Sequence, residues 1–76
     1  MNNEKITAIL SEYTEVPQAG ITPDKDLIKD LELTSLDVLD LIAAFEDTFD
    51  VEISDADVKS FHTVKDIENW LQANAG

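Results

Sequence analysis

The sequence predicts an all-α fold: a small bundle of three main helices plus one short helix, with a long loop between helices one and two. Apolar residues recur at helical spacing in three separated stretches, and a capping residue opens each stretch. No internal repeat or low-complexity tract interrupts them. With 76 residues the chain is a single domain, 1–76, and its 43% apolar content is enough for one core.

Ile6, Ile9, Leu10 and Tyr13 form the stripe of a first helix over residues 3–14, with Asn2 or Asn3 as its cap and Val16-Pro17 and Gly20 as its stop. Residues 15–34 form a long connection, read as a packed loop with one helical turn. Thr22-Pro23-Asp24 is a helix-start signal within it, and Leu27, Ile28 and Leu31 are its anchors. The second helix, 35–49, is the strongest. Val38, Leu41, Ile42, Phe45 and Phe49 fall within one arc of about 100° and form the core face. Thr34 stands at the cap position with Asp37 three residues on, a short-armed capping box. Ser54 opens a short helix to about Ser60, and Thr63 with Asp66 repeats the box before Val64, Ile67, Trp70 and Leu71, a last helix over 63–73. Asp50-Val51-Glu52-Ile53 alternates like a strand but has no strand to pair with.

Charge excludes several functions. Seventeen acids face five lysines, for a net charge of −12. Such a surface repels phosphate backbones and anionic lipid, so no nucleic acid and no membrane insertion is expected. The same charge points to a monomer. No apolar run reaches the roughly 18 residues needed to span a bilayer, and the start lacks a signal-peptide pattern, so a cytoplasmic location is expected. There is no Cys, which excludes disulfides and cysteine-based metal sites.

The far face of the second helix carries Leu36, Leu39 and Ala43, ringed by Asp37, Asp40, Glu46, Asp47 and Asp50. Two arrangements are open. The apolar residues form the centre of a docking surface for a basic partner, or Leu36 and Leu39 tuck under the long loop. Ser35 is likewise open to two readings. If Thr34 is the cap, Ser35 is the first helical residue, with its hydroxyl free at a helix N-terminus that favours an attached phosphate; otherwise Ser35 is itself the cap.

Leu33-Thr34-Ser35-Leu36-Asp37, followed by Leu41-Ile42-Ala43-Ala44-Phe45-Glu46-Asp47 and Phe49-Asp50-Val51-Glu52-Ile53, resembles the acyl carrier protein family over nearly the whole chain. The resemblance implies that Ser35 bears 4′-phosphopantetheine, transferred from coenzyme A and joined through a phosphodiester. Its thiol would carry acyl groups as thioesters in fatty-acid or specialised lipid or polyketide synthesis. It also implies that Asp37, Asp40, Glu46 and Asp47, with Leu36 as the apolar contact, meet partners: a phosphopantetheinyl transferase and acyl-processing enzymes with basic patches; Leu39 and Ala43 join them on the far-face reading alone. One departure stands out. The family usually has Asp before the serine, and here it is Thr34, with Glu32 and Leu33 in place of small residues.

Other classes fit less well. An enzyme is not expected: His62 is the sole imidazole, it lies between two helices, and there is no nucleophile elbow or Gly-rich phosphate loop. An EF-hand started at Asp50 fails, because Asp55 stands where Gly belongs and Phe61 where Glu belongs, so no specific metal site is expected. A peptidyl, aminoacyl or D-alanyl carrier, or an unmodified acidic interaction domain, shares parts of the pattern, and modification of Ser35 separates the last from the rest.

Overall fold

Helical spacing becomes helix wherever a cap and an apolar stripe coincide. The computed structural model describes residues 3–75, and the regular elements among them are α1 (Asn3–Ser11), a 3-10 turn (Gln18–Gly20), α2 (Ser35–Phe49), α3 (Asp55–Lys59) and α4 (Val64–Asn74). No strand forms among the described residues, and 51–53 runs as extended chain with Ile53 buried. Phe45 sits at the centre of the core, fully buried with Ile6, Leu10, Leu41 and Val64, and its ring meets Phe49 at 6.1 Å. Val38 and Phe49 pack on the edge of this cluster.

The first helix ends three residues before its pattern does. Glu12 and Tyr13 close a tightened last turn onto Ile9 and Leu10, and the chain then leaves because Thr14 donates its hydroxyl to the Leu31 carbonyl at 2.8 Å. Asn2 and the side chain of Asn3, read as the cap, lie outside the described residues.

The long connection is packed, as expected, but its helical turn is elsewhere. Thr22-Pro23-Asp24 starts no helix; it forms a turn closed by the Lys25 amide on the Thr22 carbonyl. The turn proper is organised by Asp26, whose carboxylate accepts from the Ile28 and Lys29 amides at 2.9 and 2.8 Å while its carbonyl accepts from Asp30 and Leu31. Because this turn is helical, Leu27 and Leu31 share the inward face and are buried, whereas Ile28 is rotated about 100° away. Ile28 is therefore 56% exposed and does not anchor the loop.

The loop is fastened to α4. The Leu27 amide donates to the His62 carbonyl at 2.9 Å, and the Val64 and Lys65 amides donate to the Lys25 and Pro23 carbonyls. Thr63 accepts from the Asp66 amide while the Asp66 carboxylate accepts from His62 and Thr63. The leading amides of α4 are thus all taken. Backbone donors hold the carboxyls of Asp26 and Asp66 below the ordinary aspartate value of 3.8: Lys29 then Ile28 for Asp26, His62 then Thr63 for Asp66.

A pKa held low in the folded state stabilises it above the ordinary aspartate range and ceases to do so as pH falls through the folded value. The difference in melting temperature between the wild type and Asp66→Asn should therefore be full above the ordinary aspartate range and close as pH falls through the lowered folded value. A difference independent of pH would refute the role of the Asp66 charge.

Candidate functional site

The start of α2 is fixed by a reciprocal pair. The Asp37 amide donates to the Thr34 hydroxyl at 3.1 Å, and the Thr34 amide donates to the Asp37 carboxylate at 3.0 Å. Thr34 has extended backbone angles and is the cap, so Ser35 is the first helical residue and the alternative of Ser35 as cap is excluded. Ser35 is exposed, and its hydroxyl takes no part in the cap. The Val38 amide closes onto the Thr34 carbonyl, while those of Ser35 and Leu36 have no acceptor among the described residues. Two open donors and the positive end of the helix dipole therefore lie at the same helix end as the hydroxyl, unlike the filled start of α4.

The approach to Ser35 is constrained on the other side. Leu31 and Leu33 are both buried, and the Leu33 amide bonds the Leu27 carbonyl at 3.1 Å. The intervening Glu32 is turned outward in the left-handed region at φ 56°, a conformation that disfavours side chains with a Cβ.

Leu36 and Leu39 are 73% and 60% exposed, and Ala43 is exposed with them, so none tucks under the loop. Asp40 and Asp47 are exposed beside them. Asp37 and Glu46 have structural partners: Asp37 in the capping box, and Glu46 accepting from the Ile53 amide at 2.8 Å. That bond helps hold the chain that leaves α2 through Asp50, itself left-handed at φ 54°.

Beside Ser35 lies a shallow groove of about 330 Å³ lined by Ile28, Val38, Leu39, Val58 and Phe61 with Ser35 itself. Sequence reasoning missed it. Val38 and Leu39 lie three and four residues after Ser35 and so share its face, but Ile28, Val58 and Phe61 arrive from distant segments. His62 is exposed, with its backbone joined to Leu27 and Asp66. Among the described residues no group of three or more His, Asp or Glu side chains is placed to hold a metal ion.

Residues 4–71 match the family described as "Phosphopantetheine attachment site". The chain belongs to the acyl carrier protein family. It is 44% identical to the acyl carrier protein of Syntrophobacter fumaroxidans over 70 residues, covering 92% of this chain and 86% of that one. With the Helicobacter pylori acyl carrier protein the identity is 37%, over 93% of this chain and 91% of that one. Among solved structures, a candidate acyl carrier protein from Mycobacterium tuberculosis superimposes with a TM-score of 0.88 at 32% identity, covering 96% and 97% of the two chains. The acyl carrier protein of Enterococcus faecalis gives 0.80 at 27%, covering 92% and 89%.

The prosthetic group of acyl carrier proteins is 4′-phosphopantetheine. The donor set at the start of α2 suits its phosphate, because an exposed hydroxyl stands among open amides at a helix N-terminus. Thr34, in the place where the family resemblance puts Asp, still caps the helix, because its hydroxyl accepts from the Asp37 amide.

Relieving the left-handed strain at Glu32 should stabilise the fold. Glu32→Gly is expected to gain about 0.5–1 kcal/mol in denaturant unfolding, the strain removed exceeding the added freedom of the unfolded chain. Glu32→Ala, which removes the carboxylate but keeps a Cβ, should gain nothing; an equal gain would assign the effect to charge.

Proposed function

We propose that Ser35 is the attachment point of 4′-phosphopantetheine and that the chain carries acyl groups as thioesters for fatty-acid or specialised lipid or polyketide synthesis. The observation that carries this reading is the division of labour at the start of α2: Thr34 caps, and the Ser35 hydroxyl is left over. In the transfer from coenzyme A, the Ser35 oxygen bonds to the phosphorus next to pantetheine. The diphosphate P–O bond breaks, adenosine 3′,5′-bisphosphate leaves, and the hydroxyl proton goes to a base on the transferase. Backbone donors at Ser35 and Leu36 favour the resulting phosphodiester anion. The thiol at the end of the arm supplies the acyl linkage that a chain without cysteine lacks.

The chain itself acts as a presenter. Leu36, Leu39 and Ala43 form the apolar centre of the docking face on α2, and Asp40 and Asp47 steer it toward basic patches on the transferase and acyl-processing enzymes. Asp37 and Glu46 add charge to that field while holding the ends of the helix. A net charge of −12 supports a monomer, and no helix among the described residues is long and apolar enough to cross a membrane.

Incubation with coenzyme A and a broad-specificity phosphopantetheinyl transferase should add the mass of one phosphopantetheine to the wild type and nothing to Ser35→Ala. The variant should keep its helicity, because the cap is Thr34. A modified Ser35→Ala would overturn the assignment. Asp40→Lys and Asp47→Lys should each weaken transferase binding about two- to tenfold at low salt, with a shallower salt dependence. Asp37→Lys is unsuitable for this test because it also breaks the capping box. Unchanged affinity in both other variants would remove α2 from the docking face.

A further inference from the structure

A recess separate from the Ser35 groove lies where the chain leaving α1 meets the residues ahead of the serine. Its volume is about 320 Å³, at the small end of ligand cavities (roughly 300–1,000 Å³), and Tyr13, Thr14, Glu15, Val16, Leu31 and Glu32 line it. One hydroxyl ties its two walls together: Thr14 donates to the Leu31 carbonyl at 2.8 Å and accepts from the Val16 amide at 3.2 Å. Glu15 is thereby carried between two tethered residues, and Glu32 between buried Leu31 and Leu33. Both glutamates are exposed, and neither carboxylate has a hydrogen bond or a cation partner among the described residues. They differ in this from Asp26, Asp37, Glu46 and Asp66, whose carboxylates are occupied by backbone amides. We propose that the recess seats the guanidinium group of an arginine presented by a partner protein, a contact separate from Leu36, Leu39 and Ala43, none of which lines it. Glu32 stands three residues ahead of Ser35, so a partner held there has the serine close at hand.

The lining selects that group. It supplies two negative charges and no positive one, because none of the five lysines reaches it, so the occupant is cationic and comes from outside the chain. A divalent ion lacks a ligand set here: among the described residues no three His, Asp or Glu side chains are placed to hold one. Between organic cations the recess favours the planar one. A guanidinium lies flat against an aromatic ring while its edge donors meet carboxylates, whereas an ammonium is a compact, strongly hydrated point charge. Tyr13 packs against the core, which steadies its ring, and Val16 and Leu31 offer apolar surface to the methylene stem of an arginine. The Tyr13 hydroxyl has no partner among the described residues either. Glu32 holds φ at 56°, where a Cβ is disfavoured, so its carboxylate is presented at this spot at a cost to the fold. The Thr14 tether sets both walls before a partner arrives, which lowers the ordering cost of binding.

The test is a titration of the nitrogen-15-labelled, unmodified chain at low salt with two blocked tripeptides, one with a central arginine and one with a central lysine, each between glycines. The arginine peptide should shift the amide resonances of Thr14, Glu15, Val16 and Glu32 and the ring resonances of Tyr13. It should bind about two- to fivefold more tightly than the lysine peptide. Glu15→Gln and Glu32→Gln keep side-chain length and should each weaken the arginine peptide about two- to fivefold. Asp47→Asn removes the same charge from an exposed position on α2 outside the recess, and should change the affinity by less than either. Shifts centred on α2, equal affinity for the two peptides, or no measurable shift would each overturn the proposal. So would an effect of Asp47→Asn equal to that of Glu32→Gln. Because the chain titrated carries no phosphopantetheine, the outcome is read separately from the assignment of Ser35.

Discussion

Two hydrogen bonds between Thr34 and Asp37 govern how α2 begins, and much of the molecule is organised around that start. They set the register in which Leu41, Ile42 and Phe45 turn inward and Leu36, Leu39 and Ala43 turn outward. They also relieve Ser35 of capping. A serine at the cap would have its hydroxyl occupied by backbone; one residue later it is exposed beside two open amides. A threonine suffices for this because the cap needs a short oxygen acceptor rather than a charge.

Charge and packing are arranged to spare one another. The core contains no buried polar or charged residue among those described, so the abundant acids lie at its periphery. Several of them are used on backbone amides: Asp26 in the loop, Asp37 and Glu46 on α2, Asp66 at α4. An acid bonded to amide donors is locally compensated without a cation, which suits a chain with five lysines. Asp40 and Asp47, by contrast, face outward. The same residue type thus serves the fold at some positions and the surface field at others.

The second helix was legible in the sequence to the residue, because its capping box and its apolar stripe are both local patterns. So was the cap of α4, whereas for Ser35 the local pattern left cap and first helical residue both open. Errors arose where tertiary bonds overrode local pattern. Thr14 ends α1 early by reaching Leu31, and Pro23 starts no helix but gives its carbonyl to α4. Ile28 looked like an anchor because it is apolar and flanked by leucines; only the helical turn made by Asp26 shows that it faces out. The groove was not legible at all, since Val58 and Phe61 approach Ser35 through packing that no spacing rule encodes.

The fastening of the loop to α4 has a bearing on how the protein is made. Leu27 and Lys25 take their partners from His62 and Val64, which a ribosome adds only after α2 and α3 have been synthesised. Contacts so distant along the chain form late, after the closure of a long segment. Until then Leu27, which holds the amide of Leu33 just ahead of the serine, has no fixed seat. The start of α2 is consequently finished only once α4 has been made, and a nascent chain still lacking α4 holds Ser35 on an unset frame. Emergence of α4 and the setting of the frame around Ser35 thereby become one event.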